Sequence, residues 1–167
     1  MWGIWVGCNT LSNISIGDKF DINSMAVLSI NFKNIKFFVN YREIIVNLWN
    51  GPGQEKFSSI MKLFFKETDI FLFVYDITKK SFFEGLDSFI NMANDQLGND
   101  FIGAIVANKS DLFLKEEIDV DQGKLFAKKH NYKFYLVSAK DNQQAFINCL
   151  DELVKDYILA VHPDLLT

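Results

Sequence analysis

Two short polar stretches carry side chains suited to reading a flat, hydrogen-bonding ring. The first is Asn108-Lys109-Ser110-Asp111 and the second is Ser138-Ala139-Lys140. A carboxylate such as Asp111 can accept two hydrogen bonds from adjacent N–H donors, as the N1 and N2 edge of guanine presents them. The Asn108 amide can bridge a base edge and a neighbouring loop, and the Lys109 stem can lie across a ring. An N-K-x-D tetrapeptide alone is equally a polar turn held by its own hydrogen bonds, so the placement of both stretches matters. A third stretch, Trp49-Asn50-Gly51-Pro52-Gly53-Gln54-Glu55, raises a related question. It is either a plain strand-to-helix turn or a loop that once sensed phosphate.

These loops need elements to hold them. Short apolar runs at 2–6, 28–38, 43–49, 70–76, 101–107 and 133–138 read as strands. The run 70–75 is continuously apolar, as a central strand covered on both faces requires. The runs 28–38 and 43–49 are joined by "VNYRE" and read as a hairpin, so one strand is expected to be antiparallel. Leu86, Phe89, Ile90, Ala93 and Leu97 recur at helical spacing, as do Phe146, Cys149, Leu150, Leu153, Val154 and Tyr157. Further helices are expected near 57–66 and 119–130. Strands alternating with helices imply an α/β domain with a mostly parallel, doubly wound sheet, and ligands bind at the carboxyl ends of such strands. Both polar stretches directly follow a strand, at that end.

Composition narrows the class. The chain has 167 residues, 49% of them hydrophobic, which suits one compact domain with a real core. A net charge of −4 argues against a nucleic-acid partner. Cys8 and Cys149 are too few for a disulfide framework or a zinc site and fit a reducing, cytoplasmic compartment. No apolar run approaches a membrane span, and "MWGIWVG" lacks the basic flank of a signal peptide. The last residues, "HPDLLT", hold no Cys, so no direct lipid anchor is expected in this chain.

Taken together, "NKSDL" at 108–112, "SAK" at 138–140, "YDIT" at 75–78, "GQEKFSSIMKLFFK" at 53–66 and "INFK" at 30–33 followed by "VNLW" at 46–49 carry a resemblance. Over about residues 3–159 the chain resembles a small GTPase of the Ras superfamily, nearest the Rab branch. The resemblance implies a P-loop NTPase fold, a mixed, mostly parallel six-stranded sheet flanked by about five helices. It also implies that Asn108, Lys109, Asp111, Ser138, Ala139 and Lys140 would hold the guanine base of any bound nucleotide. One domain is expected over 1–160, with a short tail over 161–167.

The same resemblance shows where the chain departs. The family cradles phosphates with G-x-x-x-x-G-K-[ST], whose Lys neutralises charge and whose hydroxyl ligates Mg²⁺. The aligned stretch here is "GCNTLSNI". Gly7 remains, Ser12 replaces the second Gly, Asn13 replaces the Lys, and Ile14 replaces the hydroxyl. An aliphatic side chain cannot ligate a hard cation. Val27 stands where the first switch carries its Thr. The segment before it is roughly five residues short, where brief connections leave little slack. In the second switch Asn50 replaces an Asp, Gly53 and Gln54 remain, and Pro52 fixes φ in a loop that should move. Removing one partner of a buried charged contact costs on the order of 2–5 kcal/mol, so even two losses would weaken Mg·GTP binding about a thousandfold or more. Gln54 matches the water-orienting position but has no charged transition state to act on without the metal and the Lys. A polar turn residue is its favoured role.

The sequence therefore points to a pseudo-GTPase that works by protein–protein recognition. No catalytic residue, no Mg²⁺ and no tightly held cofactor are expected, and GDP or GTP only weakly. Phe32, Trp49 and Phe64 match the family's hydrophobic triad and are the expected face for an effector-like or scaffold partner, which would also recruit the chain to membranes or an assembly. Against this, aromatic residues at strand ends commonly fill a core. Two alternatives stay open. One is an atypical guanine-nucleotide-binding GTPase with slow turnover in vesicle trafficking, its phosphates met by Lys19 or Lys36, or its base loops holding nucleotide without metal. The other is a scaffold subunit of a stable assembly.

Overall fold

The structure is a computed structural model that describes residues 2–6, 11, 13, 15, 31–50, 65–98 and 100–166. Six strands form one sheet: β1 (Trp2–Val6), β2 (Asn31–Val39), β3 (Arg42–Asn50), β4 (Ile70–Asp76), β5 (Ile102–Asn108) and β6 (Lys133–Leu136). Their order is β2-β3-β1-β4-β5-β6, with β2 and β3 antiparallel and all other pairs parallel. This is the mixed, mostly parallel sheet the sequence implies. Four α-helices lie among the described residues: α1 (Lys80–Glu84), α2 (Leu86–Leu97), α3 (Val120–Lys129) and α4 (Gln143–Val161). Leu11 and Asn13 are also helical, with Ser15 N donating to Leu11 O at 3.1 Å. Of the helix expected near 57–66, residues 57–64 lie outside the described residues, and Phe65 has helical backbone.

The apolar run of β4 is covered on both faces. Ile70 and Leu72 join one core layer with β3, Leu11 and α4, while Phe71, Phe73 and Tyr75 join the other with Phe65, α2 and α3. The helical spacing holds in α4, where Phe146, Cys149, Leu150, Leu153 and Val154 are buried. Asp119 caps α3 in a reciprocal box with Gln122. No described helix is long and apolar enough to cross a membrane.

Three strand limits differ from expectation in ways that matter. The "VNYRE" loop is only a two-residue turn, because Val39 and Arg42 pair and Asn40 and Tyr41 both take positive φ, 47° and 63°. Such a turn matches the twist of the flanking strands. β5 runs one residue further than expected, so Asn108 ends the strand instead of opening the loop. β6 stops at Leu136, yet Val137 N still donates to Ala107 O at 2.9 Å. The segment 161–167 begins inside α4, and Leu165 packs against the core.

The amino ends of the strands are tied by Asp69. Its carboxylate accepts from Gly3 N and from the Tyr157 hydroxyl, both at 2.8 Å, and its carbonyl accepts from Ile102 N. Burial and this carboxylate push the Tyr157 hydroxyl up to about 12. A Cβ at Gly3 would run into the carbonyl oxygen of Glu67, whereas one at Gly85, with φ −74° between α1 and α2, meets only ordinary contacts. Gly3→Ala should therefore destabilise the protein by about 1–3 kcal/mol, as overpacking does. Gly85→Ala should be neutral or stabilise it by about 0.4–1 kcal/mol. Thermal denaturation of the two variants measures both.

Candidate functional site at the carboxyl ends of the strands

The parallel strands deliver their carboxyl ends in one row: Asn50 from β3, Val6 from β1, Asp76 from β4 and Asn108 from β5. β1 lies where the connections diverge to either side of the sheet, the position at which such sheets bind ligands.

At the β4–β6 end the two polar stretches meet. Ser138 is buried, and its hydroxyl donates to Asp111 Oδ1 at 2.6 Å. The Ser138 hydroxyl oxygen in turn accepts from Lys140 N at 3.2 Å and Asp141 N at 3.0 Å. Asn108 is also buried, and its Oδ1 accepts from Lys109 N at 2.8 Å and Ala139 N at 3.4 Å. One amide oxygen thus ties both loops. Lys109 takes the left-handed conformation, φ 68° and ψ 36°, which sends its ammonium to Asp76 Oδ2 at 2.7 Å.

Asp76 was not singled out for this role by the sequence. Its other oxygen accepts from Thr78 N at 2.9 Å and Thr78 Oγ1 at 2.7 Å. Burial opposes its charge, but Lys109 and Thr78 together hold its carboxyl below the usual 3.8. The signal available in the sequence was a lone carboxylate closing an apolar strand. The result is a set of fixed loops in which Asp111 keeps one carboxylate oxygen without a partner among the described residues, able to accept from N–H donors of a base edge.

The other end of the row differs. Asn50 is 5% exposed, and its Oδ1 is buried with no hydrogen-bond partner among the described residues. Lys33 Nζ donates to Asn13 Oδ1 at 2.8 Å, a contact between residues 20 apart that the sequence reading missed. Lys36, one of two lysines named in the alternative reading, pairs with Glu43 at 3.0 Å on the exposed hairpin. Among the described residues, no three His, Cys, Asp or Glu side chains gather to hold a metal. An ammonium repels a hard divalent cation, and a neutral amide oxygen attracts it less than the carboxylate such sites commonly supply. The described residues here do not fit Mg²⁺, whereas the loops at the base end fit a guanine ring.

Phe32 and Trp49 face each other across β2 and β3, with ring centroids 5.2 Å apart. Phe32 is 59% exposed, so it does not fill a core. Gly7, Ser12, Ile14, Lys19, Val27, Pro52, Gly53, Gln54 and Phe64 lie outside the described residues.

The sheet order and the loops at the strand ends are those of a small-GTPase-like α/β domain. The Ras family profile matches residues 4–157, and the chain belongs to that family. It is similar to the Ras-related protein Rab-2B of Dictyostelium discoideum, with 28% identity over 165 residues. The match covers 97% of this chain and 81% of that relative, and the chain is a Rab-like member of the Ras superfamily.

The Lys109–Asp76 pair makes stability depend on acid. Asp76 has a lowered carboxyl in the folded state, so its contribution is present above the unfolded value of 3.8 and is lost as pH falls through the folded one. Lys109→Met should lower stability at neutral pH and flatten its fall below about pH 4. Urea denaturation at pH 7, 5, 3.5 and 2.5 reads this out, and an unchanged acid limb would contradict it.

Proposed function

We propose that this chain is a Rab-like pseudo-GTPase that acts by binding a protein partner, with Mg²⁺-dependent GTP binding and hydrolysis lost or very weak. The observation that carries this reading is Asn50. It is a buried neutral amide with an unpartnered oxygen, in the second-switch position the family fills with an acid. Sequence supports it, because Asn13, Ile14 and Val27 replace the other groups that serve phosphate or metal. A switch needs a charged centre whose contacts differ between nucleotide states, since only differential contacts shift an equilibrium.

What remains is a surface. The exposed Phe32, seated against Trp49, is the kind of aromatic anchor that interfaces bury, and Phe64 completes the expected face. The partner is an effector-like or scaffold protein that would recruit the chain from the cytoplasm to a membrane or an assembly. A second reading, a nucleotide-binding protein of slow turnover in vesicle trafficking, is favoured by one observation. Two bonds, Ser138 to Asp111 and Ala139 N to Asn108, join the loops at the base end.

The natively purified chain should carry no stoichiometric nucleotide. Titration with GDP and GTP should show at most weak binding, unimproved by Mg²⁺. Micromolar or tighter Mg²⁺-dependent binding, or phosphate release abolished by Asp111→Ala, would overturn this reading in favour of the second.

A further inference from the structure

A helix joining two parallel strands runs back along them, so α2 and α3 end beside the amino ends of β5 and β6. α4 ends at the same edge of the sheet, since its Tyr157 reaches Asp69 just before β4. The carboxyl end of a helix carries partial negative charge and favours a cation. α2 and α4 have no basic residue in their last turn to meet it. α3 does, but Lys129 and the adjoining His130 are both engaged by Asp87, at 3.2 and 2.9 Å.

A cavity of about 490 Å³ opens at this edge, within the size range of small-molecule sites. Phe101, Gly103 and Tyr132 line it together with Asn94, Lys133 and Asp156. Gly103 gives the Tyr132 ring its seat, because a Cβ there would fall 2.3 Å from a ring carbon. Phe73 stacks on the same ring, with centroids 5.7 Å apart. The Tyr132 hydroxyl has no hydrogen-bond partner among the described residues, and burial pushes it up to about 12, so it stays neutral and able to accept. Lys133 brings an ammonium to the wall, but Glu152 and Asp156 both pair with it at 2.5 Å, and the three together are net negative. Asp95 and Asp100, exposed and next in sequence to Asn94 and Phe101, add to that sign.

We propose that this cavity binds a small organic cation of the amidinium or guanidinium type. Such a cation is flat and weakly hydrated, so it suits aromatic walls. Its N–H groups can fork onto a carboxylate, here Asp156, and reach neutral acceptors such as the Tyr132 hydroxyl and the Asn94 amide oxygen. The site lies at the opposite edge of the sheet from Asp111 and Asn50, and the proposal does not rest on the pseudo-GTPase reading.

The test titrates the full chain with benzamidine and with its neutral isostere benzamide, followed by the ring-proton resonances of Tyr132 and His130. Benzamidine should bind about tenfold or more tightly, the scale of one hydrogen bond between charged groups. Asp156→Asn should erase that margin, and Asp156→Glu should keep it. Tyr132→Phe should weaken benzamidine several-fold. Asn94→Trp, which fills the cavity, should abolish binding of both, while Asp151→Asn elsewhere on α4 and Asp111→Ala at the far edge should change nothing. Thermal melting of each variant separates loss of the site from loss of fold. The same cation can arrive free or on an arginine side chain of a protein. N-acetylarginine amide binding as tightly as benzamidine assigns the side chain, and weaker binding assigns a free molecule. Equal affinity for benzamidine and benzamide in the parent chain, including no measurable binding of either, overturns the proposal. So does a margin that survives in a folded Asp156→Asn, or one lost in Asp111→Ala.

Discussion

The site depends on the parallel register of β4 with β5, which runs from Ile70 opposite Ile102 to Asp76 opposite Asn108. The pairing ends with two polar residues side by side, and everything at the base end hangs from them. Asp76 draws in the Lys109 ammonium, and Asn108 accepts from the backbone of both loops. A slip of one residue would separate them and leave a buried amide unpaired. The slip is resisted because β4 and β5 bury apolar side chains on both faces, in two core layers at once.

The two ends of the row differ in electrostatic character, and this difference organises the functional reading. At the base end Asp76, Lys109, Asn108 and Ser138 all have partners, which hold the two loops together. At the β3 end a neutral amide is buried with an oxygen unmet, and the nearby cation comes from β2. The two halves draw on different strands and on different kinds of contact.

Much of the fold was legible from periodicity. The continuous apolar run of β4 and the helical spacing in α2 and α4 correspond to burial. The limits were less so. The hairpin turn contracted to Asn40-Tyr41 because two positive-φ residues close it, which the polar look of "VNYRE" did not reveal. Asn108 proved to end a strand, since main-chain pairing with Asp76 continues past the last apolar residue. At the site, the residue types and their loops were readable. The Lys109–Asp76 pair and the Lys33–Asn13 bond were not, because their partners lie 33 and 20 residues apart.

Sequence alone determined the class of fold and the residue types that stand in the loops at the strand ends. These are matters of residue type at a position along the chain, and hydrophobic period or the presence of an ionisable group decides them. Tertiary structure decided which groups meet. It placed Lys33 on Asn13 and Lys36 on Glu43, although both lysines lie on the same strand three residues apart. Side chains at odd separations along a strand leave on opposite faces, and only the packed sheet shows which face carries the helix and which carries the solvent.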